Sequence, residues 1–376
     1  LDGVLDDSVN KTKNAINSKD YNVIYEAAFE YLGTQVRTDV LIRKKNGWEL
    51  LEAKSSTKLK DEYIDDISIQ SFIVRECLKQ IGHNLISCKL IHINKDFTLE
   101  NTEDYTDLIN DENDISNKIV EIEKEIPSYI KDLLPLTEKN SPSPQVKMGS
   151  HCNKPYECDY QDKCKSLLPK SDIVPFTILP YIGSNKDLKA YMEEIGTADL
   201  QKVPSEFFKN RKDYAPNYHQ IIQKAHRNNE AWFDPGLKNA FKKFSFPFYF
   251  IDFETIMQGV PIIKKTQPYY ALPFQWSTHK WESEKSEIDK GKSFLKFNDQ
   301  DIERQFIETL LEAVGESGTI FAHNAKGVEV KILEKLKKKD NCKNLEGKID
   351  KLIKRIEDSL ILARMNFYSP LMNGDW

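Results

Sequence analysis

Three charged side chains sit at fixed spacing in a short segment that otherwise has the pattern of two β-strands. The segment, residues 37–56, reads RTDVLIRKKNGWELLEAKSS, and the three residues are Asp39, Glu52 and Lys54. The pair Asn46 and Gly47 predicts a hairpin closed by a two-residue type I′ turn. That turn places Asp39 opposite Lys54 and puts Glu52 on the same face, because opposed residues share a face and successive residues alternate.

Two carboxylates and an ammonium in one place can support phosphodiester hydrolysis. Carboxylate oxygens bind hard divalent cations, and an ammonium can orient or help deprotonate water and offset charge in the transition state. The simpler interpretation is an ion pair between Asp39 and Lys54 on a solvated face, which contributes less than about 1 kcal/mol. The hairpin by itself leaves both interpretations open. Its opposite face is expected to be apolar throughout, with the residues Val40, Ile42, Leu51 and Ala53.

Apolar spacing and turn residues predict the elements on either side of the hairpin. They are a helix over 21–33, a helix over 63–82, a strand over 84–94, a solvated acidic loop over 100–114 and an amphipathic helix over 115–134. On the second of these helices Gln70 shares a side with Ile67 and Val74, so its side chain is expected to face the sheet. The alternative to a catalytic role for Gln70 is a buried glutamine that satisfies a backbone group.

Asp39, then Glu52-x-Lys54, then Gln70 on the following helix resemble the PD-(D/E)xK nucleases of the RecB-like branch, which include the CRISPR-associated RecB-like exonucleases. The resemblance implies a restriction-endonuclease-like core with a mixed sheet and Mg²⁺ or Mn²⁺ as cofactor. It also implies that these four residues are catalytic and that Asp39 and Glu52 bind the metal. In that family an acid on the preceding helix can add a metal ligand, and Glu26 is the match.

A cluster of three cysteines follows in the segment GSHCNKPYECDYQDKC, at Cys152, Cys158 and Cys164. Their spacing is not that of a zinc knuckle. RecB-like nucleases often carry an iron–sulfur cluster held by three such cysteines and one earlier cysteine, so the resemblance implies a 4Fe-4S cluster here. No cysteine precedes the hairpin, however. The fourth ligand is therefore expected upstream of Leu1, or His151 replaces it, or the cluster has been lost.

A second pair of acids lies in the most apolar strand pattern of the chain. In FYFIDFET (248–255), alternation puts Tyr249, Ile251 and Phe253 on one face and Asp252 and Glu254 on the other. Two acids there would be costly without a cation or donors, although two caps at a strand end are the simpler interpretation. The pair resembles the first motif of the DEDD exonucleases of the DnaQ, ribonuclease H-like type. That resemblance implies that Asp252 and Glu254 are catalytic and bind metal ions.

The segment TIFAHNAKGVEVKIL (319–333) resembles the second motif of the same family, a strand ending in His-Asn-Ala before a helix that carries an acid. Glu329 takes that role with a shift of one residue, and is therefore an expected catalytic and metal-binding residue. His323 on its own is expected to be a core histidine. Asp358 in RIEDSLILAR (355–364) is expected to be structural, and the fourth ligand is expected beyond Trp376, so that this domain is truncated.

Composition sets the remaining bounds. The chain has 376 residues, a net charge of −5 and six cysteines, and we expect neither a signal peptide nor a membrane-spanning run in it. The charge argues against binding nucleic acid by bulk attraction but allows local basic grooves. The use of cysteine indicates a reducing, cytoplasmic location.

The expected organisation is a RecB-like nuclease domain over 1–170 with the cysteine cluster at 152–164, a connecting region over 171–245, and a ribonuclease H-like domain over 246–376. The expected fold class is accordingly α/β or α+β. The function expected from the two resemblances is that of a metal-dependent DNA nuclease, exonucleolytic, in repair or defence. The alternatives are a catalytically decayed nucleic-acid-binding or scaffold protein and an RNA-directed exonuclease.

Overall fold

A computed structural model describes residues 2–144, 146–167, 173–297 and 300–376 of the protein. Its contacts divide the chain into two compact units. The first unit comprises Leu1–Leu168 and Gln258–Tyr270, and the second comprises Pro169–Met257 and Ala271–Trp376. Both are mixed α/β structures with mixed sheets, which confirms the fold class at that level. The domain boundary expected at residue 170 lies outside the described residues.

The first unit is built on a sheet whose strands run in the order β1-β2-β3-β4-β5. Neighbouring strands are antiparallel except β3 and β4, which are parallel. The strands are β1 (Val23–Tyr31), β2 (Thr34–Lys44), β3 (Gly47–Lys54), β4 (Leu85–Ile93) and β5 (Ile109–Asp114). The helices are α1 (Asp2–Asn17), α2 (Asp61–Gln80), α3 (Ser116–Leu133) and α4 (Gln161–Leu167).

Helix α2 connects the parallel strands β3 and β4 and shares a buried core with the sheet. Its Ile67, Val74 and Leu78 pack in one cluster with Leu41 of β2 and Leu50 of β3. The elements α2, β4 and α3 confirm the two helices and the strand predicted over 63–82, 84–94 and 115–134. The acidic stretch 100–114 is only partly a loop, because its last residues form β5 and pair with β4.

The helix predicted over 21–33 is wrong, because most of this segment is β1. Leu32 and Gly33 both have positive φ, 52° and 73°, so the chain reverses in a two-residue turn and β1 pairs with β2. Ala27, Ala28 and Phe29 are all buried in succession. Helix α1 contributes to that burial, since the Ala28 N–H donates to Thr12 Oγ1. A run of apolar residues buried on both faces of a strand is easily mistaken for a helical stripe.

The predicted register of the β2–β3 hairpin is also wrong, by two residues. Lys44 pairs with Gly47, so the loop residues are Lys45 and Asn46 rather than Asn46 and Gly47. Gly47 serves a different purpose, because a Cβ there would lie 2.5 Å from the Asn84 carbonyl oxygen at the start of β4. That close approach lets the N–H of Trp48 donate to the same oxygen at 2.8 Å.

A slip of two residues leaves every side chain on the face predicted for it, since strand faces alternate with a period of two. Asp39 is therefore still on the face of Glu52 and Lys54. That face is also the one that bears the core, because it carries the buried residues Leu41, Trp48 and Leu50. The reverse face is more open, and its residues Val40, Ile42 and Leu51 are half-buried while Ala53 is exposed.

The segment Gln258–Tyr270 lies in sequence between the strands at 248–257 and 271–281, but it belongs to the first unit. Its main chain pairs with Leu99, which accepts from the N–H of Lys265 at 2.7 Å and donates to the carbonyl of Thr266 at 3.0 Å. Ile263 of the segment is buried, and the Tyr105 hydroxyl donates to the Pro261 carbonyl at 3.2 Å. The first unit is therefore assembled from two separate stretches of the chain.

The second unit contains a mixed sheet in the order β10-β8-β7-β11-β12, with β9 paired to β8 and a separate pair of β6 with β13. Strands β7, β11 and β12 are parallel, and β8 is antiparallel to β7. Its strands are β6 (Trp232–Phe233), β7 (Phe248–Met257), β8 (Ala271–Trp281), β9 (Ile288–Asp289), β10 (Ser293–Leu295), β11 (Thr319–Ala322), β12 (Ile356–Asp358) and β13 (Phe367–Tyr368). Its helices are α5 (Lys186–Glu194), α6 (Tyr218–Asn228), α7 (Leu237–Phe241), α8 (Ile302–Val314), α9 (Glu329–Leu336), α10 (Glu346–Lys354) and α11 (Ser359–Asn366).

The region expected to connect two domains, 171–245, clusters with the second unit. Leu188 of α5 and Ile222 of α6 share a buried core with Tyr368 of β13. Within the described residues, no helix combines the length and apolar character that a bilayer-spanning segment needs.

The close approach at Gly47 gives a stability test. Gly47→Ala should lower the free energy of unfolding of the first unit by about 1–3 kcal/mol, because the added Cβ meets a backbone oxygen and the strands must shift. Calorimetric melting of the full chain measures this. The control is Gly347→Ala in the exposed part of α10, where a Cβ meets nothing within 4 Å. Equal melting of the two variants would contradict the packing argument.

Candidate functional site

The first candidate site lies where β3 ends beside α2. Glu52 is buried, with 6% of its surface exposed, although it is ionisable. Its Oε1 accepts from the Lys54 ammonium at 2.8 Å. Asp39 lies on the neighbouring strand β2. Its Oδ2 accepts at 2.7 Å from the N–H of Ala53, the residue between Glu52 and Lys54. The three residues predicted to act together are therefore brought together by the end of the hairpin.

A carboxylate that the motif did not indicate completes the contacts of Lys54. Asp66 of α2 forms a short ion pair with the Lys54 ammonium through its Oδ2. The other oxygen of Asp66 accepts from Nε2 of Gln70 at 3.4 Å. The Tyr63 ring centroid lies 5.5 Å from Lys54 Nζ and adds a cation–π contact. The sequence signal for Asp66 is its position four residues before Gln70, on the same face of α2.

The electrostatics of the site keep Lys54 protonated. Burial opposes its charge, but hydrogen bonds to Asp66 and Glu52 outweigh that effect and raise the pKa of Lys54. Burial also raises the pKa of Glu52, and the nearby charge of Asp39 raises it further, against the lowering effect of hydrogen bonds from Lys54 and Gln70. In this arrangement Lys54 can donate hydrogen bonds and offset negative charge, but it cannot accept a proton.

Two buried acceptors of the site have no hydrogen-bond partner among the described residues. They are Oε2 of Glu52 and Oε1 of Gln70. A buried oxygen without a donor is costly, and a hard cation or a water bound to one would satisfy it. The described residues contain no group of three or more His, Cys, Asp and Glu side chains arranged to hold a metal. Mg²⁺ commonly takes one or two carboxylates and several waters, so Asp39 and Glu52 fit that cation.

Glu26 lies on the edge strand β1, whereas the resemblance implied that it lies on a helix. The register puts it level with Asp39, because Tyr25 pairs with Val40 and Ala27 pairs with Thr38. Its φ is +54°, its side chain is exposed, and it makes no ion pair or hydrogen bond within the described part of the chain. The structure therefore places Glu26 near Asp39 in register without bringing it into the contacts of the site.

The cysteine cluster is a loop in which the three thiols have different surroundings. Cys152 is buried, Cys158 is exposed and Cys164 is half-buried, and all three are free. The loop is tied together through the carbonyl of Cys152, which accepts from the Cys158 N–H at 2.9 Å and from Gln161 Nε2 at 2.7 Å. His151 beside it is exposed. Among the described residues these thiols do not belong to a group of three or more His, Cys, Asp and Glu side chains placed to hold a metal ion, and the iron–sulfur cluster stays a prediction.

The second candidate site lies at the carboxyl ends of parallel strands in the second unit. Along β7 the side chains alternate as predicted, with Ile251 and Phe253 buried and Asp252 and Glu254 exposed. Glu329 begins α9, after the turn that follows β11, and only 2% of its surface is exposed. Parallel strands deliver the residues at their carboxyl ends to one edge of a sheet, which brings β7, β11 and β12 to the same place.

Glu329 is the most perturbed acid of this site. Burial, with added repulsion from Asp252 and Asp358, raises its pKa to about 7. Its Oε2 is buried and has no partner among the described residues. Asp358 ends β12 and caps α11, accepting from the N–H groups of Leu360 at 3.0 Å and Ile361 at 3.3 Å. Asp358 thus has the structural role expected of it, and it also contributes charge to the site.

His323 is exposed, so its expected place in the core is wrong. It stands directly after β11 and before the turn that leads to Glu329. The turn includes Asn324 with a φ of +56°, a conformation that Asn tolerates better than most residues. The one-residue shift in this motif is therefore absorbed by the turn, and Glu329 still enters the site.

Comparison with known proteins bears on this second site. A family described as a domain of unknown function (DUF2779) matches residues 249–376. The match covers about a third of the chain, begins in β7, and includes Asp252, Glu254, Glu329 and Asp358. It does not include the β2–β3 hairpin. No curated protein gives a significant match to this chain.

The raised pKa of Glu329 predicts how stability depends on pH in metal-free buffer. The folded state holds the proton up to about pH 7 and the unfolded state loses it near 4.5, so stability falls as pH rises through that window. Glu329→Gln removes that loss. At pH 8 the variant should be more stable than the wild type by on the order of 3 kcal/mol, and at pH 4 about equal to it.

Thermal melting of the full chain between pH 4 and pH 8 measures this difference. The matched control is Glu334→Gln on the same helix, because Glu334 pairs with Lys337 at the surface. Its difference from the wild type should not follow the same pH window. A Glu329→Gln difference that is constant with pH would contradict the prediction.

Proposed function

We propose that the protein is a metal-dependent nuclease that hydrolyses phosphodiester bonds of DNA, with its principal site at Asp39, Glu52, Lys54 and Gln70. The observation that carries the proposal is the buried Glu52, whose Oε2 has no donor in the described part of the chain while Asp39 and a charged Lys54 lie beside it. A surface ion pair would need neither the burial nor the unpartnered oxygen. Both are properties of a site that binds a cation and a charged substrate.

The arrangement of elements around the site supports the same proposal. The sheet of the first unit combines an antiparallel β1-β2-β3 meander with a parallel β3–β4 pair, and α2 is the connection between β3 and β4. This is the layout expected of a restriction-endonuclease-like core. In the second unit, acids at the carboxyl ends of β7 and β12 and at the start of α9 support a ribonuclease H-like exonuclease site.

The chemistry of the first site follows from its own side chains. Asp39 and Glu52 would hold Mg²⁺ or Mn²⁺, which when bound activates water and neutralises phosphate charge. Lys54 stays protonated, so its part is to donate hydrogen bonds and to offset charge that develops on the phosphate. The buried carbonyl oxygen of Gln70 can accept a hydrogen bond from water in the site.

The proposal predicts cleavage that depends on a divalent metal and on Lys54. Lys54→Ala should lower the rate of cleavage by about 100-fold or more, because the charge placed for the transition state is lost. Cleavage of labelled single-stranded DNA, double-stranded DNA and RNA with Mn²⁺ measures this and reveals the preferred polymer. The matched control is Lys58→Ala, four residues on and exposed. Unchanged cleavage in both Lys54→Ala and Asp39→Ala would reject the proposal.

A second candidate function is nucleic-acid binding without catalysis. It is favoured by the absence, within the described residues, of any group of three His, Cys, Asp or Glu side chains arranged to hold a metal. The two candidates differ in the affinity of the first site for a metal.

Titration calorimetry with Mn²⁺ separates the two candidates. In a background of Asp252→Asn and Glu254→Gln, which disables the second site, the nuclease proposal predicts a binding event that Asp39→Asn removes. The expected loss arises because Asp39 and Glu52 are the carboxylates placed to hold the ion. Glu30→Gln serves as control, since Glu30 is exposed and its carboxylate accepts from Gln35 Nε2 at the surface. No Mn²⁺ binding in that background would favour the binding protein.

A further inference from the structure

We propose that Asp66 is the positioning residue of the first site and that it fixes Lys54 and Gln70 relative to Glu52. The proposal rests on the proposed nuclease function for the reaction that Asp66 serves. Asp66 is the one acid of α2 that contacts both residues, through one oxygen each. It holds them from the helix, whereas Glu52 contacts Lys54 from the strand.

Lys54 needs such a second contact because its side chain is long and flexible. Glu52 is only two residues away on the same strand, so a pair between them alone would leave the ammonium free to swing and would commit Glu52 to neutralising it. With Asp66 on the other side, the ammonium is held between two carboxylates on different elements. Lys54 engages Oε1 of Glu52, and Oε2 has no hydrogen-bond partner among the described residues.

Asp66 also decides which end of the Gln70 amide faces the site. Nε2 of Gln70 donates to Oδ1 of Asp66, four residues earlier on the same helix face. The amide oxygen therefore points away from Asp66, and it is buried with no donor among the residues that the structure describes. Gln70 is presented to the site as an acceptor.

Asp66 is placed as a positioning residue, not as a further metal ligand. Both of its oxygens are already occupied by Lys54 and Gln70, and 45% of its side chain is exposed. A half-exposed ion pair contributes little to folding. Removal of the charge should therefore change the rate of catalysis far more than it changes stability.

The test compares Asp66→Asn with Asp65→Asn, which removes the same charge from an exposed position next to it on α2. Asp66→Asn should lower kcat by about 100-fold, because a displaced catalytic group costs a factor of that order. KM should stay within about twofold, since Asp66 contacts no substrate. Asp65→Asn should keep the wild-type kcat, and Asp66→Glu should recover part of the loss. Equal kcat in Asp65→Asn and Asp66→Asn would overturn the proposal.

A second measurement does not depend on cleavage. In protein labelled with ¹⁵N-lysine, the ammonium signal of Lys54, assigned by its loss in Lys54→Arg, reports whether that group is held. Asp66→Asn should shift or broaden this signal, and Asp65→Asn should leave it in place. An unchanged Lys54 signal in Asp66→Asn would show that Glu52 holds Lys54 alone and would overturn the proposal, even in a chain without nuclease activity. If Lys54→Ala leaves cleavage unchanged but Asp66→Asn still alters the Lys54 signal, only the proposed nuclease function is rejected, and the positioning role of Asp66 stands.

Discussion

The first unit depends on a carboxylate that the fold buries without satisfying. Glu52 sits at the end of the face that carries Leu50 and Trp48, so the packing that stabilises the sheet also removes Glu52 from water. Removing a charged group from water is costly unless partners replace the lost hydration. Lys54 supplies part of that replacement through Oε1 of Glu52, whereas Oε2 has no hydrogen-bond partner among the described residues. Burial of Glu52 therefore costs folding free energy, although the proposed metal site needs its carboxylate. Helix α2 contributes to this balance because its Asp66 pairs with Lys54.

The second unit also buries a carboxylate, Glu329, but its surroundings differ from those of Glu52. Glu329 is buried at the start of a helix, and its neighbours Asp252 and Asp358 come from strand ends instead of a hairpin. The charged side chains that most shift its pKa, Asp252 and Asp358, are both acids, so protonation of Glu329 relieves the repulsion. The two acidic sites therefore differ in kind. The first contains a lysine that offsets part of its negative charge, whereas the charged neighbours that most shift the pKa of Glu329 are acids.

Much of the fold of the first unit was accessible from local pattern, and particular residues explain where this ended. Helix α2 has twenty residues with a regular apolar stripe, and tertiary contacts agree with that stripe at Ile67 and Val74. In β1 the apolar residues are buried on both faces, which gives a sequence pattern similar to that of a helix. The strand is determined by its contacts with α1 and β2. The predicted hairpin register is wrong because Gly47 is needed where the chain passes close to the Asn84 carbonyl. Asn84 is distant in sequence, so turn preferences carry no information about it. The acids stayed together because the error was an even number of residues.

The same logic applies to the site residues. Asp39, Glu52 and Lys54 share a strand pair, so their proximity follows from alternation. Asp66 was missed because its role depends on how α2 lies across the end of β3, a tertiary relation that no spacing encodes. Asp358 looked purely structural from sequence, and its capping bonds agree, but its charge also reaches Glu329.

The segment Gln258–Tyr270 has a consequence for how the chain can be divided. The first unit is not encoded by one continuous stretch, because Leu99 pairs its backbone with residues that follow β7. The family match at 249–376 spans this same segment, so the limits of the sequence family and of the structural unit cross each other. A transfer of either unit into another protein would have to include or bridge the segment Gln258–Tyr270. A chain cut after residue 168 would therefore leave Leu99 without its main-chain partners Lys265 and Thr266.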